Sequence, residues 1–230
     1  MSKYLAIGGF LMLAVIFSGC DKKNSTGPDN QDPATVTDID GNVYTTVKIG
    51  KQLWTVENLK VTHYRNGDPI PEVIGEMNWK NLSTGARCAY NNNAGTAETY
   101  GYLYNWFALN DSRNIAPEGW RVATEADWQT LANSLGGTAE AGGKMKEAGT
   151  THWQAPNTGA TNESGFTALP GGCRDLNGNF YLLGRVAYFW TATAIDANGA
   201  WNRVLSYEDT ILNSVGPNKT NGFSVRLIRE

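Results

Sequence analysis

Between Val43 and Ile49 the chain alternates, with Val43, Thr45, Val47 and Ile49 interleaved with Tyr44, Thr46 and Lys48. That period of two predicts a β-strand. Asp40-Gly41-Asn42 supplies a turn before it and Gly50-Lys51 a second turn after it, ahead of Leu53-Trp54, so residues 36–59 read as consecutive strands. A different period governs GWRVATEADWQTLANSLGG, residues 119–137. Trp128, Leu131, Ala132 and Leu135 fall at i, i+3, i+4 and i+7, the apolar stripe of a helix over 124–135. Thr124 stands at its N-cap and Asp127 three residues on, close to a capping box. Glu125 and Asp127 lie in the first turn, where the helix dipole favours negative charge. Gly136-Gly137 ends it. The two acids therefore have structural work as caps, and nothing in the stretch demands catalysis.

A shorter helix is predicted from Asn105 through Leu109, with Asn105 as cap, and a short strand at Trp120-Val122. Residues 60–100 read mostly as loop, broken by NGDPIPE and NNNAGTAE. Residues 136–179, rich in Gly, Thr and Asn, read as one long irregular region, punctuated by Met145, Trp153, Phe166 and Leu169 as anchors to a core. Strands return at 186–194, 201–207, 210–215 and 223–228. No fixed-period repeat is present. The pattern predicts an α+β domain with two helices, an antiparallel sheet and a long loop region.

The N-terminus has its own pattern. One lysine precedes an apolar run from Tyr4 to Phe17, then Ser18-Gly19-Cys20. The run, about 14 residues, is short for a membrane span of roughly 20 and reads as a secretory signal over 1–19. The small-small-Cys ending resembles a bacterial lipobox, which makes Cys20 the expected lipidation site. Residues 20–35 form the lipidated cysteine and a polar tether, and 36–230 the domain. Such a tether, as a coil of about 15 residues, spans on the order of 20 Å. The expected setting is the bacterial cell envelope, as an outer-membrane lipoprotein facing either the periplasm or the exterior, held to the membrane through its N-terminal lipid.

Composition narrows the partners. Net charge is −3 with no basic block, which argues against nucleic acid. The 26 glycines and eight tryptophans point to a loop-rich, aromatic-cored domain rather than a helical bundle. Beyond Cys20 only Cys88 and Cys173 remain. Either they pair, closing a loop of roughly 85 residues worth about 4 kcal/mol in the chain-entropy model, or they are two buried thiols that never meet. The sequence leaves both open.

Four separated stretches occur together: DIDGNVYTTVKIGKQLWTVENL, APEGWRVATEADWQTLANSLGG, GTTHWQAPNTGATNESGFTALPGG and the closing YFWTATAIDANGAW with NKTNGFSVRLIRE. In this order they resemble the Fibrobacter succinogenes major paralogous domain family, over essentially all of 36–230. More distantly, GWRVATEADW and GFSVRLI are similar to segments of formylglycine-generating enzymes. That second resemblance implies a C-type-lectin-like fold, with N- and C-terminal strands paired and long loops between.

The parts for catalysis are sparse. Formylglycine-generating relatives require paired redox cysteines near the C-terminus, and none follows Cys173. His63 and His152 are the only histidines and show no metal-ligand spacing. No nucleophile elbow or phosphate loop is present. The expectation is a non-catalytic binding domain with no cofactor and no metal, its partner a polysaccharide or an envelope protein; the alternatives are a purely structural or interaction protein of the envelope, or an enzyme related to formylglycine-generating proteins. Sugar sites combine an aromatic platform with amides and charged groups. The candidate binding residues are accordingly Trp153 with Asn157, and Trp201 with Asn202 and Arg203; Tyr90 with Asn91–Asn93 is a further pairing. The expected binding face comprises residues 136–179 and 196–221.

Overall fold

A computed structural model describes Met1 and residues 32–230; Cys20, the signal segment and most of the tether lie outside the described residues. In chain order the strands are β1 (Thr35–Thr37), β2 (Val43–Ile49), β3 (Gln52–Thr55), β4 (Arg87–Cys88), β5 (Leu103–Tyr104) and β6 (Trp120–Val122). They continue with β7 (Cys173–Arg174), β8 (Phe180–Tyr181), β9 (Val186–Ala194), β10 (Ala200–Ser206), β11 (Asn213–Val215) and β12 (Leu227–Arg229). The helices are α1 (Glu76–Lys80), α2 (Ala94–Tyr100), α3 (Trp106–Leu109), α4 (Glu125–Ser134) and α5 (Thr138–Met145). The domain is α+β. Its main sheet has the order β1-β2-β3-β12-β6, a second has β11-β10-β9, and two short hairpins pair β4 with β5 and β7 with β8, all antiparallel.

The C-terminal strand β12 lies between β3 and β6, so the two ends of the domain share one sheet. Neighbouring residues of that sheet belong to different cores. Trp54 and Ile228 pack with α4, whereas Leu53 and Leu227 pack with Tyr44, Tyr64 and Tyr104. Side chains of successive strand residues point to opposite faces, so the sheet is buried on both. The first core is an aromatic cluster. Trp54 and Trp128 lie 5.0 Å apart between centroids, and Phe166 meets Trp54, Trp128 and Phe189 at 5.8, 5.6 and 5.9 Å. Helix α4 ends as the sequence requires. The Thr124 hydroxyl accepts from Asp127 N at 3.2 Å, and the Asp127 carboxylate accepts from Thr124 N at 2.7 Å.

The two predicted helices become five among the described residues, α1 lying within 60–100 that read mostly as loop, and three further expectations change. Residues 32–35, read as tether, pack with the domain: Asp32 pairs with Lys48 at 2.7 Å and Arg229 at 3.0 Å, and Thr46 N donates to Ala34 O at 2.9 Å. Backbone pairing along the free edge of β2 offsets a composition that otherwise favours a coil. Second, NNNAGTAE begins a helix instead of breaking one, because Asn93 caps α2 by accepting from Gly95 N at 3.0 Å. Third, the start of the long loop region is helix α5, despite Gly142 and Gly143. A Cβ at 142 would stand 2.7 Å from Thr210 O and one at 143 would stand 2.6 Å from Gly159 O. The glycines let the chain at 210–211 and 159 pass against the helix, a packing requirement that outweighs their helix propensity of about 1 kcal/mol each.

The long region beyond α5 is held by buried cations. Lys146 is fully buried and its Nζ donates to three carbonyls, of Thr158, Ser206 and Asp209, at 2.9, 2.8 and 2.7 Å. Arg226, just before β12, donates to Asn58 Oδ1 at 2.6 Å and to the carbonyls of Thr55, Phe166 and Thr167 at 2.8, 2.9 and 3.1 Å. Its guanidinium lies 4.4 Å from the Phe166 ring centroid.

The stability consequences are measurable by urea unfolding. Thr124→Ala removes the cap and is expected to cost about 0.5–2 kcal/mol, and Trp128→Ala about 3–5 kcal/mol through the cavity it leaves. A response under about 0.5 kcal/mol at Trp128, as at an exposed position, contradicts this packing. Burial brings the Lys146 ammonium down to about 8, whereas an unfolded chain keeps its lysine protons to about 10.4. The unfolded state therefore binds more protons in that window, and Lys146 makes stability rise as pH increases from about 8 toward 10.4. Lys146→Met is expected to flatten that rise; an unchanged pH slope assigns it to another group.

Candidate functional site

The candidate binding residues are mostly interior. Trp153 is 1 % exposed; its indole N–H donates to Ala168 O at 2.9 Å and its ring lies 5.5 Å from Lys146 Nζ. It acts as an anchor of the long loop and is not a ligand platform. Asn157 is buried, its amide donating to the carbonyls of Glu147 and Gly149 at 2.9 and 2.6 Å. Asn202 is fully buried in β10, opposite Trp190. Arg203 is buried and makes a two-pronged ion pair with Glu125 at 2.6 and 3.1 Å, tying β10 to the first turn of α4. Trp201 alone of the set keeps partial exposure. Tyr90 is also buried. The binding face expected at 136–179 and 196–221 therefore loses four of the five residues that defined it. A large aromatic beside an amide is as much a core signature as a sugar site: the Asn157 amide N–H groups find loop carbonyls, whereas the Asn202 side chain is buried with no hydrogen-bond partner among the described residues.

The cysteine alternatives resolve toward free thiols. Cys88 packs with Trp79, Ala86, Tyr90 and Leu103, and Cys173 with Trp106, Trp190, Ala200 and Phe223. The disulfide is thus corrected: each thiol fills a different aromatic cluster. Burial pushes both up to about 12, so neither is a thiolate at neutral pH.

The acids of α4 are equally committed. Glu125 holds Arg203 and accepts from Ser214 Oγ at 2.9 Å. Burial alone would raise Asp127, but donors from Arg121 and Thr124 hold it below the usual carboxylate range. His152 Nδ1 meets Glu147 at 2.8 Å, and His63 Nδ1 meets Asp40 at 2.5 Å.

The second of these pairs borders a cleft of about 270 Å³, lined by Asp40, Asn42, Lys60, Thr62, Ala94, Ala97, Glu98 and Tyr102. Three chain segments build it. The turn before β2 is set by Asp38, whose Oδ1 accepts from Asp40 N and Asn42 N at 3.0 Å each, and whose Oδ2 accepts from the Tyr44 hydroxyl at 2.6 Å. The same turn chemistry recurs at Asp175 and Asp196, each accepting from two backbone N–H groups downstream. The segment after β3 contributes Lys60 and Thr62, and its Lys60 N donates to the Tyr44 hydroxyl at 2.9 Å. Helix α2 contributes Glu98 and ends at Gly101, φ +74, where a Cβ would stand 2.8 Å from Leu59 O. That close approach sets Tyr102 beside Lys60.

The cleft's polar groups are partly spent on one another. The Asp40 carboxylate accepts from Thr62 N, from the Thr62 hydroxyl at 2.9 Å and from His63. Burial would raise it, and these donors hold it below the ordinary carboxylate range. Lys60 Nζ donates to Glu98 O at 2.7 Å. Asn42 spends its amide N–H on Asp38 at 2.9 Å. The Tyr102 ring is half-buried, with the Arg87 guanidinium 4.4 Å from its centroid. Sequence reasoning recognised the 40–42 turn but not the cleft. Lys60, Glu98 and Tyr102 carry no local motif, and only the chain's return at Gly101 brings them to the turn.

No match to the chain was found among curated proteins or among solved structures. The family model described as the Fibrobacter succinogenes major domain matches residues 47–229, from β2 through β12. This chain belongs to the Fibrobacter succinogenes major domain family.

Proposed function

We propose that this protein is a membrane-anchored lipoprotein of the bacterial cell envelope, and that its domain binds a glycan or a surface partner without transforming it. The anchor rests on the apolar run ending in Ser18-Gly19-Cys20 and the polar segment after it. A C-type-lectin-like architecture is the finer reading of the α+β domain; a C-terminal strand between β3 and β6 and long loops between the ends support it. The observation that carries binding is the cleft, where a half-buried tyrosine meets carboxylate, amide, hydroxyl and ammonium groups. Such mixtures match sugar hydroxyls, which both donate and accept.

The non-catalytic half of the reading is supported by how the reactive groups are engaged. Glu125 is tied to Arg203, Asp127 to Arg121 and Thr124, and both thiols are protonated in apolar surroundings. A second reading, a protein-interaction module, is favoured by Ile74 and Met77. These are 63 % and 68 % exposed beside a depression of about 490 Å³.

Two experiments test the proposal. Cys20→Ala is expected to release the protein from membranes or block its maturation, read by detergent partitioning; unchanged partitioning removes the anchor. On a glycan array, Tyr102→Ala is expected to abolish signal, and Trp201→Ala to leave it. A stability measurement on each variant separates lost binding from lost fold. Retained glycan binding in folded Tyr102→Ala, or turnover of a bound ligand, refutes the assignment.

A further inference from the structure

We infer that the cleft between the Asp38–Asn42 turn, Lys60 and helix α2 selects one neutral saccharide unit through a vicinal diol, and disfavours uronates and phosphorylated sugars. This rests on the cleft being the ligand site, and goes beyond it by naming what that site takes.

Size is the first argument. About 270 Å³ lies just below the range of about 300–1,000 Å³ that encloses drug-sized ligands, so the cleft holds one ring of a chain rather than several.

The second argument is which valences stay open. Lys60 Nζ has three donors and spends one on Glu98 O, so two N–H groups remain. Asn42 donates to Asp38, which leaves its Oδ1 as an acceptor. The Glu98 side chain is solvent-exposed and makes no hydrogen bond or ion pair among the described residues. The lining therefore offers one cationic donor and two acceptors. Two adjacent hydroxyls fit that set: each accepts from the ammonium, and each donates outward, one to a carboxylate and one to an amide oxygen. A single hydroxyl satisfies half of it. The half-buried Tyr102 ring supplies the apolar surface against which the C–H face of a pyranose packs.

Charge is the third argument, and it decides the class. Asp40 and Glu98 face the cleft with Lys60 as the only cation in the lining. Asp40 is held ionised by Thr62 and His63. The Arg87 guanidinium is packed against Tyr102 and paired with Glu72 at 3.7 Å, outside the lining residues. With Asp40 paired to His63, Glu98 and Lys60 are the charges left to a ligand, so the cleft has no excess of positive charge to hold a carboxylate or phosphate, and Glu98 opposes either.

The test uses the purified full-length chain in detergent, with methyl α-D-mannopyranoside, methyl α-D-glucopyranoside, sodium glucuronate and inorganic phosphate as probes. A further probe, methyl 2,4-dideoxyglucopyranoside, has no vicinal diol and is expected to bind about tenfold more weakly, equal binding overturning the diol. Saturation-transfer NMR reports contact and calorimetry the affinity. The expected result is binding of a neutral methyl glycoside, with glucuronate and phosphate weaker by about tenfold or more, the equivalent of one lost charge-assisted bond. Glu98 is exposed and Lys60 partly so, and Glu98→Gln and Lys60→Gln are expected to fold normally. Each should weaken the neutral glycoside about tenfold, and Glu98→Gln should also narrow the gap to glucuronate. Preference for glucuronate or phosphate overturns the ligand class and leaves the binding-module reading standing. Neutral-sugar binding that ignores both substitutions places recognition elsewhere and overturns the cleft. If none of the probes binds, both the ligand class and the glycan reading fall.

Discussion

The buried guanidinium of Arg226 is the constraint on which the rest of the domain depends. It is 1 % exposed and makes no salt bridge among the described residues, a situation that costs several kcal/mol unless every donor finds an acceptor. Here four of its five N–H groups do, through Asn58, Thr55, Phe166 and Thr167, with Phe166 and Phe189 stacked against the charge. Those acceptors come from the segment after β3, from the end of β3 and from the far side of the long loop. One side chain next to the C-terminus thereby joins two stretches, 55–58 and 166–167, that are distant in sequence from each other and from it. It also places Phe166 in the aromatic cluster under α4, so the cluster and the loop are ordered by the same contact.

The same device recurs wherever the chain lacks regular structure. Arg174 is enclosed between Trp79 and Phe180 and donates to the carbonyls of Val73, Ile74 and Gly178. Lys219 lies 4.4 Å from the Trp106 ring centroid and donates to the carbonyls of Asp196 and Ala197. Lys146 does this for residues 158, 206 and 209. A loop brings carbonyls inside that no helix or strand satisfies, and each orphaned acceptor costs about 1–3 kcal/mol. A cation with three to five donors removes several such costs at once, and the ring beneath it offsets part of the lost hydration. This explains why a chain with 26 glycines and eight tryptophans folds: the tryptophans cover charges as well as filling volume.

Periodicity made part of this legible. The α4 stripe and its capping box, the alternation of β2, the span of β9 and the burial of Trp54, Trp120, Trp128 and Trp190 all follow from spacing of three to four, or of two. Helices α2 and α5 were hidden because Asn and Gly are read as breakers, whereas Asn93 is a cap and Gly142 a site of close backbone approach. The candidate ligand residues failed for a related reason. Trp153, Asn157, Asn202 and Arg203 have the composition of a sugar site, but composition cannot tell an amide that faces water from one enclosed in the core. The cleft itself was out of reach. Its lining comes from a turn, a connecting segment and a helix whose meeting depends on Gly101 and on the Tyr44 hydroxyl.

That hydroxyl links the interior to the proposed site. Tyr44 is 1 % exposed, yet it donates to Asp38 and accepts from Lys60 N, joining the turn to the opposite wall of the cleft. The turn is in turn closed by Asp38 on two backbone N–H groups, so Asp40 and Asn42 are held before any ligand arrives. A shallow polar site gains most from such preorganisation, because each ordered side chain otherwise subtracts about 0.5–1.5 kcal/mol from a small binding free energy. Single contacts of this kind remain weak, in the micromolar to millimolar range that corresponds to about 4–8 kcal/mol. Many copies held by lipid on one membrane would meet a repeating polysaccharide multivalently, where effective concentration rather than any added contact raises avidity. Rigid walls and weak single sites are therefore compatible properties. On the proposed reading, the first would preserve discrimination between hydroxyl and carboxylate at each cleft, and the second would let a crowded surface bind and release a long chain.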